Sequence, residues 1–171
     1  MLLLAVLVGL AVAGCATGEV EMLVPIAGGE RIHVPMGRGG PKPTNEGGVQ
    51  INAANFTLNA DKKLVFIFDF TDSRSRALRQ VRVEDVADDA AQLFIDSNQP
   101  ALSATGQWHG VSEPVDLADP RLGWMATISN TTRVYRFTLT FADGQTLMLY
   151  QGTLFPAPIK SAIRHAFGQN Y

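Results

Sequence analysis

The sequence predicts a mainly β protein folded as a β-sandwich, and three observations carry that expectation. Apolar and polar residues alternate with period two in several short runs, the pattern that buries one face of a strand. Turn residues separate those runs at intervals of ~8–12 residues. Apolar residues at helical spacing are found near the end of the chain, at Ile159, Ala162, Ile163, Ala166 and Phe167, so one short helix is expected there.

Composition agrees with one folded unit. The chain has 171 residues, close to the ~150 of a typical domain. Apolar residues make up 46% and charged residues 18%, which excludes a disordered polar chain. Fourteen basic against sixteen acidic side chains give a formal charge of -2, which excludes a strongly basic nucleic-acid binder. A single cysteine excludes an intrachain disulfide and a cysteine-based zinc cluster.

Two extended segments, 21–26 and 31–35, flank the Gly28-Gly29 turn. The stretch 36–48, MGRGGPKPTNEGG, carries five glycines and two prolines without apolar periodicity and reads as a mobile loop or spacer. A strand over 49–58 keeps its alternation only with a register shift, so a bulge is expected there. In KLVFIFDFT, 63–71, Leu64, Phe66, Phe68 and Phe70 share one face, as in a central strand. Strands follow at 78–86 and 92–96, after polar turns at 72–76 and at Asp88-Asp89. The stretch 100–120 is irregular, with short extended pieces near Trp108 and Val115.

A strand is expected over 123–129, with Trp124 in the core. Arg133–Phe141 alternates cleanly, and the turn Ala142-Asp143-Gly144 joins it to a partner strand over 146–154. Pro156-Ala157-Pro158 ends the sheet, and Pro158 and Gly168 suit the two ends of a helix at about 158–167. Seven to nine such strands read as an immunoglobulin-like or fibronectin-III-like sandwich with a short C-terminal helix. Without a Cys…Trp…Cys signature, an antibody-type domain is excluded.

The N-terminus carries different information. Leu2–Ala13 is an unbroken apolar run, Gly9 included, too short for a membrane-spanning helix and of the length of a signal-peptide core. Val12-Ala13-Gly14-Cys15 follows the order aliphatic, small, Gly or Ala, Cys, and so resembles the lipobox of bacterial lipoproteins. The resemblance covers the targeting segment alone. It implies cleavage between Gly14 and Cys15, a diacylglycerol on the Cys15 sulfur and usually a further acyl chain on its amino group. Two or three chains meet the condition for stable anchoring. Ala16, rather than Asp, follows the cysteine, which by the same resemblance points to the outer membrane, facing the periplasm. Ala11-Val12-Ala13 also reads as an ordinary A-x-A site that would release a secreted protein beginning at Gly14. A buried core helix is a third reading. The expected organisation is a signal peptide over 1–14, a tether over 15–20 and one sandwich domain over 21–171.

Chemistry-bearing motifs are sparse. His33, His109 and His165 lack metal-ligand spacing, and no G-x-S-x-G, S-x-x-K or P-loop occurs. No catalytic residue, cofactor or metal is therefore expected. Asp69 with Asp72, and Glu84, Asp85, Asp88 and Asp89, form acidic groups that suit turns at least as well as calcium. The candidate binding residues are Trp108 and His109, as an exposed stacking platform, and Arg74, Arg76, Arg79 and Arg82, as a strip for an acidic partner, lipid headgroup or glycan. The leading expectation is a non-enzymatic lipoprotein held to the membrane through Cys15. Its partner would be an envelope protein or glycan, not nucleic acid. An inhibitor or carbohydrate-binding module, and a hydrolase with a site assembled from scattered residues, stay open as alternatives.

Overall fold

The computed structural model describes residues 20–38, 40–116, 118–126 and 131–155. The Cys15 segment, the helix expected over 158–167 and His165 lie outside them. The architecture is antiparallel β throughout. Strands β1 (Val20–Pro25), β2 (Arg31–Gly37) and β3 (Gly40–Pro41) form one sheet. A second has the order β4 (Asn45–Glu46), β5 (Val49–Leu58), β6 (Leu64–Asp72), β9 (Gln107–Val111). The third has the order β11 (Thr146–Phe155), β10 (Thr131–Phe141), β7 (Leu78–Asp85), β8 (Gln92–Asn98).

The alternation in β6 decides the core. Leu64, Phe66, Phe68 and Phe70 are no more than 1% exposed. They meet the inward faces of β7, β8 and β10 in one cluster. Phe68 stands edge-on to Tyr135 at 5.1 Å and to Phe137 at 5.8 Å between ring centroids, and Phe66 meets Phe94 at 4.5 Å. Each buried phenylalanine contributes about 1.5–3 kcal/mol. The expected bulge in β5 falls between Ile51 and Ala53, which lets both Ile51 and Phe56 face the core.

The β1–β2 hairpin forms a third layer on the outer face of the β10–β11 pair. Val24, Ile26 and Val34 pack against Val86 and Val134, with Tyr150 at the margin. At the turn, the Ala27 N–H donates to the Val86 carbonyl (2.8 Å). Further along, the hairpin lies so close to β11 that a Cβ on Gly152 would stand 2.5 Å from Val34 Cγ1 and 3.0 Å from Pro41 Cβ. Glycine is thus what allows this approach.

Two expectations are corrected. The Gly/Pro-rich stretch 36–48, read as a loop without regular structure, carries short strands among its described residues. It contributes part of β2, then β3 and β4, and is fastened by Gln151: Thr44 N donates to Gln151 Oε1 (2.8 Å), and Gln151 Nε2 donates to the Lys42 carbonyl (3.1 Å). Of the strand expected at 123–129, residues 123–126 instead belong to a 3-10 helix, Pro120–Ala126, and 127–129 lie outside the described residues. Pro120 suits a helical first turn, and the run Gly123–Ser129 is apolar without strict alternation.

Gly152→Ala is expected to lower the unfolding free energy by about 1–3 kcal/mol through overpacking. Gly123→Ala, where a new Cβ meets nothing within 4 Å, should stay within about 0.5 kcal/mol of wild type. Urea denaturation of the two variants side by side checks this.

Candidate functional site

The predicted binding residues do not assemble into one surface. Trp108, a candidate for an exposed binding role, is 4% exposed and stacks on Phe70 at 5.1 Å between ring centroids. Its indole folds over Gly110, where a Cβ would lie 2.0 Å from the ring. The pair Trp108-x-Gly110 is thus a packing device, and Trp108 offers no stacking platform. His109, on the opposite face of β9, is exposed and faces Asp69 across the strand pair, with Nδ1 and Oδ1 2.5 Å apart.

The arginines also separate. Arg74 and Arg76 lie in the β6–β7 turn, ahead of β7, and Arg79 and Arg82 are exposed on β7. Arg76 is structural. The Asp72 carboxylate, fully buried, accepts from Arg76 N (2.9 Å), Nε (3.0 Å) and Nη2 (3.1 Å), and from Arg74 N (3.2 Å). Arg76 Nη2 also donates to the Gly47 carbonyl (3.0 Å), and the guanidinium stacks 3.9 Å from the Phe141 ring centroid. Burial alone would raise the Asp72 pKa, but the hydrogen bonds from Arg76 and Arg74 outweigh it and hold the carboxyl below its ordinary value.

The second acidic group is likewise taken up by arginine. Glu84 accepts from Arg82 Nη2 (2.7 Å) and from Arg136 Nη2 (2.7 Å) on the outer face. Opposing its burial, these bonds lower its pKa. At the start of β10, buried Arg133 donates from Nε to Asp85 (2.8 Å) and from both Nη atoms to Asp88 (2.9 and 2.7 Å). Burial pushes the Asp85 carboxyl up despite Arg133. Beside it, the buried Tyr135 hydroxyl finds no hydrogen-bond partner among the described residues, and burial followed by the Asp85 charge raises its pKa well above the ordinary value. Among the described residues, no three His, Cys, Asp or Glu side chains converge on a metal position.

Two depressions mark the side where β11 faces β5. One, of about 300 Å³, lies between Ile51–Asn55 and Gln151–Leu154, roofed by Pro41 and Pro43. Thr153 Oγ1 donates across its floor to the Ala54 carbonyl (3.3 Å). The other, of about 430 Å³, lies between β2 and residues 42–46, with His33, Lys42, Glu46 and Tyr150 on its rim. His33 is 2.8 Å from Glu21 through Nδ1. Among the described residues, no hydrogen bond joins either histidine to a serine, threonine or cysteine side chain, so a nucleophile–base pair is not assembled there. None of their helices is long and apolar enough to cross a membrane.

The comparisons are silent. No protein-family model matches the chain, and no curated protein or solved structure matches it. Geometry and the N-terminal motif therefore carry the functional reading.

Sequence reasoning missed Gln151, which fastens the 42–44 segment. Its position on β11 gave no signal, because the carbonyls and amides it serves lie more than a hundred residues away.

Asp72→Asn is expected to cost about 3 kcal/mol at neutral pH, as when one partner of a buried pair is removed. Because the Asp72 pKa is lowered on folding, its contribution is complete above the unfolded carboxylate range of about 4. It is lost as pH falls through the folded value. The gap between wild type and Asp72→Asn should therefore close on acidification; urea midpoints from neutral pH down to about 3 read it.

Proposed function

We propose that the chain is a cell-envelope lipoprotein: a β-sandwich, immunoglobulin-like in class, anchored through acylated Cys15 and serving as a non-enzymatic binding or structural module. The observation that carries this reading is the distance between motif and fold. The single cysteine stands at the lipobox position, and the first strand begins at Val20. The segment removed by cleavage would therefore end just before the folded unit starts.

The finer fold assignment draws support from strand order. With β5, β6 and β9 as strands A, B and E, and β7, β8, β10 and β11 as C, C′, F and G, the sheets run A-B-E and G-F-C-C′, the immunoglobulin-type division. The non-enzymatic reading rests on the acidic clusters, whose carboxylates Asp72, Glu84, Asp85 and Asp88 are neutralised by arginines. Burial of Trp108 weighs against the carbohydrate-binding alternative. Ala16 after the cysteine keeps the outer membrane, periplasmic face, as the proposed location.

The protein extracted from membranes in detergent is expected to have the mass of residues 15–171 plus its acyl groups. Cys15→Ser should abolish acylation and the cleavage before residue 15, leaving a chain that keeps its apolar N-terminal run. An unacylated mass beginning at Gly14 or Met1 would overturn the proposal.

A further inference from the structure

Each of the two large sheets has two edges, and three of these four are engaged. On β8, Arg121 Nη1 donates to the Leu93 carbonyl (3.3 Å). Beside β9, the Ser103 N–H donates to the Gln107 carbonyl (2.8 Å) and the Gln107 N–H donates to Ser103 Oγ (3.1 Å). On β11, the Tyr150 carbonyl accepts from Thr44 Oγ1. The fourth edge differs. Short β4 pairs with Val49 and Gln50 alone, and the Ile51 N–H donates to the Thr44 carbonyl (2.9 Å). Residues 53–58 of β5 then run on with no described strand beside them.

Backbone direction on that edge follows from β6. Leu64 exchanges both main-chain bonds with Val115 (2.9 and 2.7 Å), and Phe66 turns its carbonyl to the Ser112 N–H (2.9 Å) and its N–H to Ser112 Oγ (3.0 Å). Leu58 and Phe56 stand opposite these two residues. Their own N–H and C=O groups therefore point out to the edge, as do those of Ala54. Among the described residues, these outward groups meet side chains only: the Phe56 N–H donates to Asn55 Oδ1 (2.9 Å), and the Ala54 carbonyl accepts from Thr153 Oγ1 (3.3 Å). The run Ala53–Leu58 holds neither charge nor proline, the usual devices that keep an edge from pairing. Leu58, on the same face of the sheet as buried Leu64, is 38% exposed. Four residues earlier, Ala54 borders the depression of about 300 Å³ that Thr153 and Leu154 line from β11.

We infer that this edge pairs antiparallel with the same edge of a second copy of the chain, about a two-fold axis at Phe56. In that register Phe56 meets Phe56 of the second copy and Ala54 meets its Leu58, so the outward groups exchange about six main-chain hydrogen bonds. Paired residues share a face of the sheet, so each Leu58 enters the depression beside the other copy's Ala54. This selects a second copy as the occupant. One strand carries both the exposed apolar side chain and the depression that receives it, as an isologous contact requires. Being uncharged, the strand also meets itself without repulsion. The inference uses folded residues alone and is independent of the lipid anchor.

The test is sedimentation of the full chain, purified in detergent, over a dilution series that starts in the tens of micromolar. Wild type should be a dimer that dissociates on dilution. Leu58→Lys, which would place a charge in the other copy's depression, should raise the dimer dissociation constant at least about tenfold. Its thermal unfolding should stay close to that of wild type, because the side chain is exposed in the single copy. Cysteines read the register. With Ala54 opposite Leu58, Asn55 stands opposite Thr57 of the second copy at about 4.5 Å between Cα atoms, within disulfide reach. On oxidation, a mixture of Asn55→Cys and Thr57→Cys chains should yield severalfold more cross-linked dimer than either variant alone. Wild type, with the same Cys15, gives the background. Wild type that is monomeric throughout overturns the pairing, as does a dimer indifferent to Leu58→Lys or a mixture that cross-links no better than the single variants. Acyl mass is read separately, so none of these outcomes touches the anchor.

Discussion

The structure depends on the burial of one strand face. Leu64, Phe66, Phe68 and Phe70 project from β6 into the space between two sheets, and nearly every inward residue of the facing sheet packs within that cluster. Because strand side chains alternate strictly, a slip of one residue would move this aromatic row to the outer face and bring Val65, Ile67 and Asp69 inward. Register is therefore specified by the core itself. The bulge at Asn52 lets β5 follow a partner whose alternation does not match its own.

Outside that core, polar groups do the fastening. Arg76 joins the β6–β7 turn to the Gly47 carbonyl and to the Phe141 ring, linking both sheets at one end. Arg133, Asp85 and Asp88 close the other end with a mostly desolvated ion pair. Such pairs contribute little net stability against well-packed apolar groups, yet losing one partner is costly. They hold particular ends together rather than supply the driving force, which remains apolar burial.

The contrast between legible and illegible parts follows from the range of the interactions. β6, β10 and β11 were readable because their alternation reflects local geometry, and the turn at Gly144 because its backbone is left-handed, φ 86°. The order of residues 40–46 was not readable. Their composition matches a spacer, and among the bonds that fix them are those of Gln151 on β11. Trp108 misled in the same way: its polar neighbours suggested the surface, whereas the bare backbone of Gly110 makes room for the ring in the core. The four arginines looked like one strip because sequence shows parity but not partners, and Asp72 and Glu84 each claim their own. The order Val12-Ala13-Gly14-Cys15 is legible for a different reason: a short linear pattern needs no tertiary contacts to be seen.

The hairpin layer has a mechanical consequence. Tension applied to the chain ahead of Val20, in line with β1, loads that strand lengthwise. The six residue pairs from Val20 with Met36 to Pro25 with Arg31 then resist together in shear. The same tension applied across the strand would open them one after another, like a zipper. Because Gly152 allows β2 to sit tightly on β11, load taken up by the hairpin passes into the central sheet. A strand that looks peripheral in the fold is thereby the element through which the domain bears pull on its N-terminus.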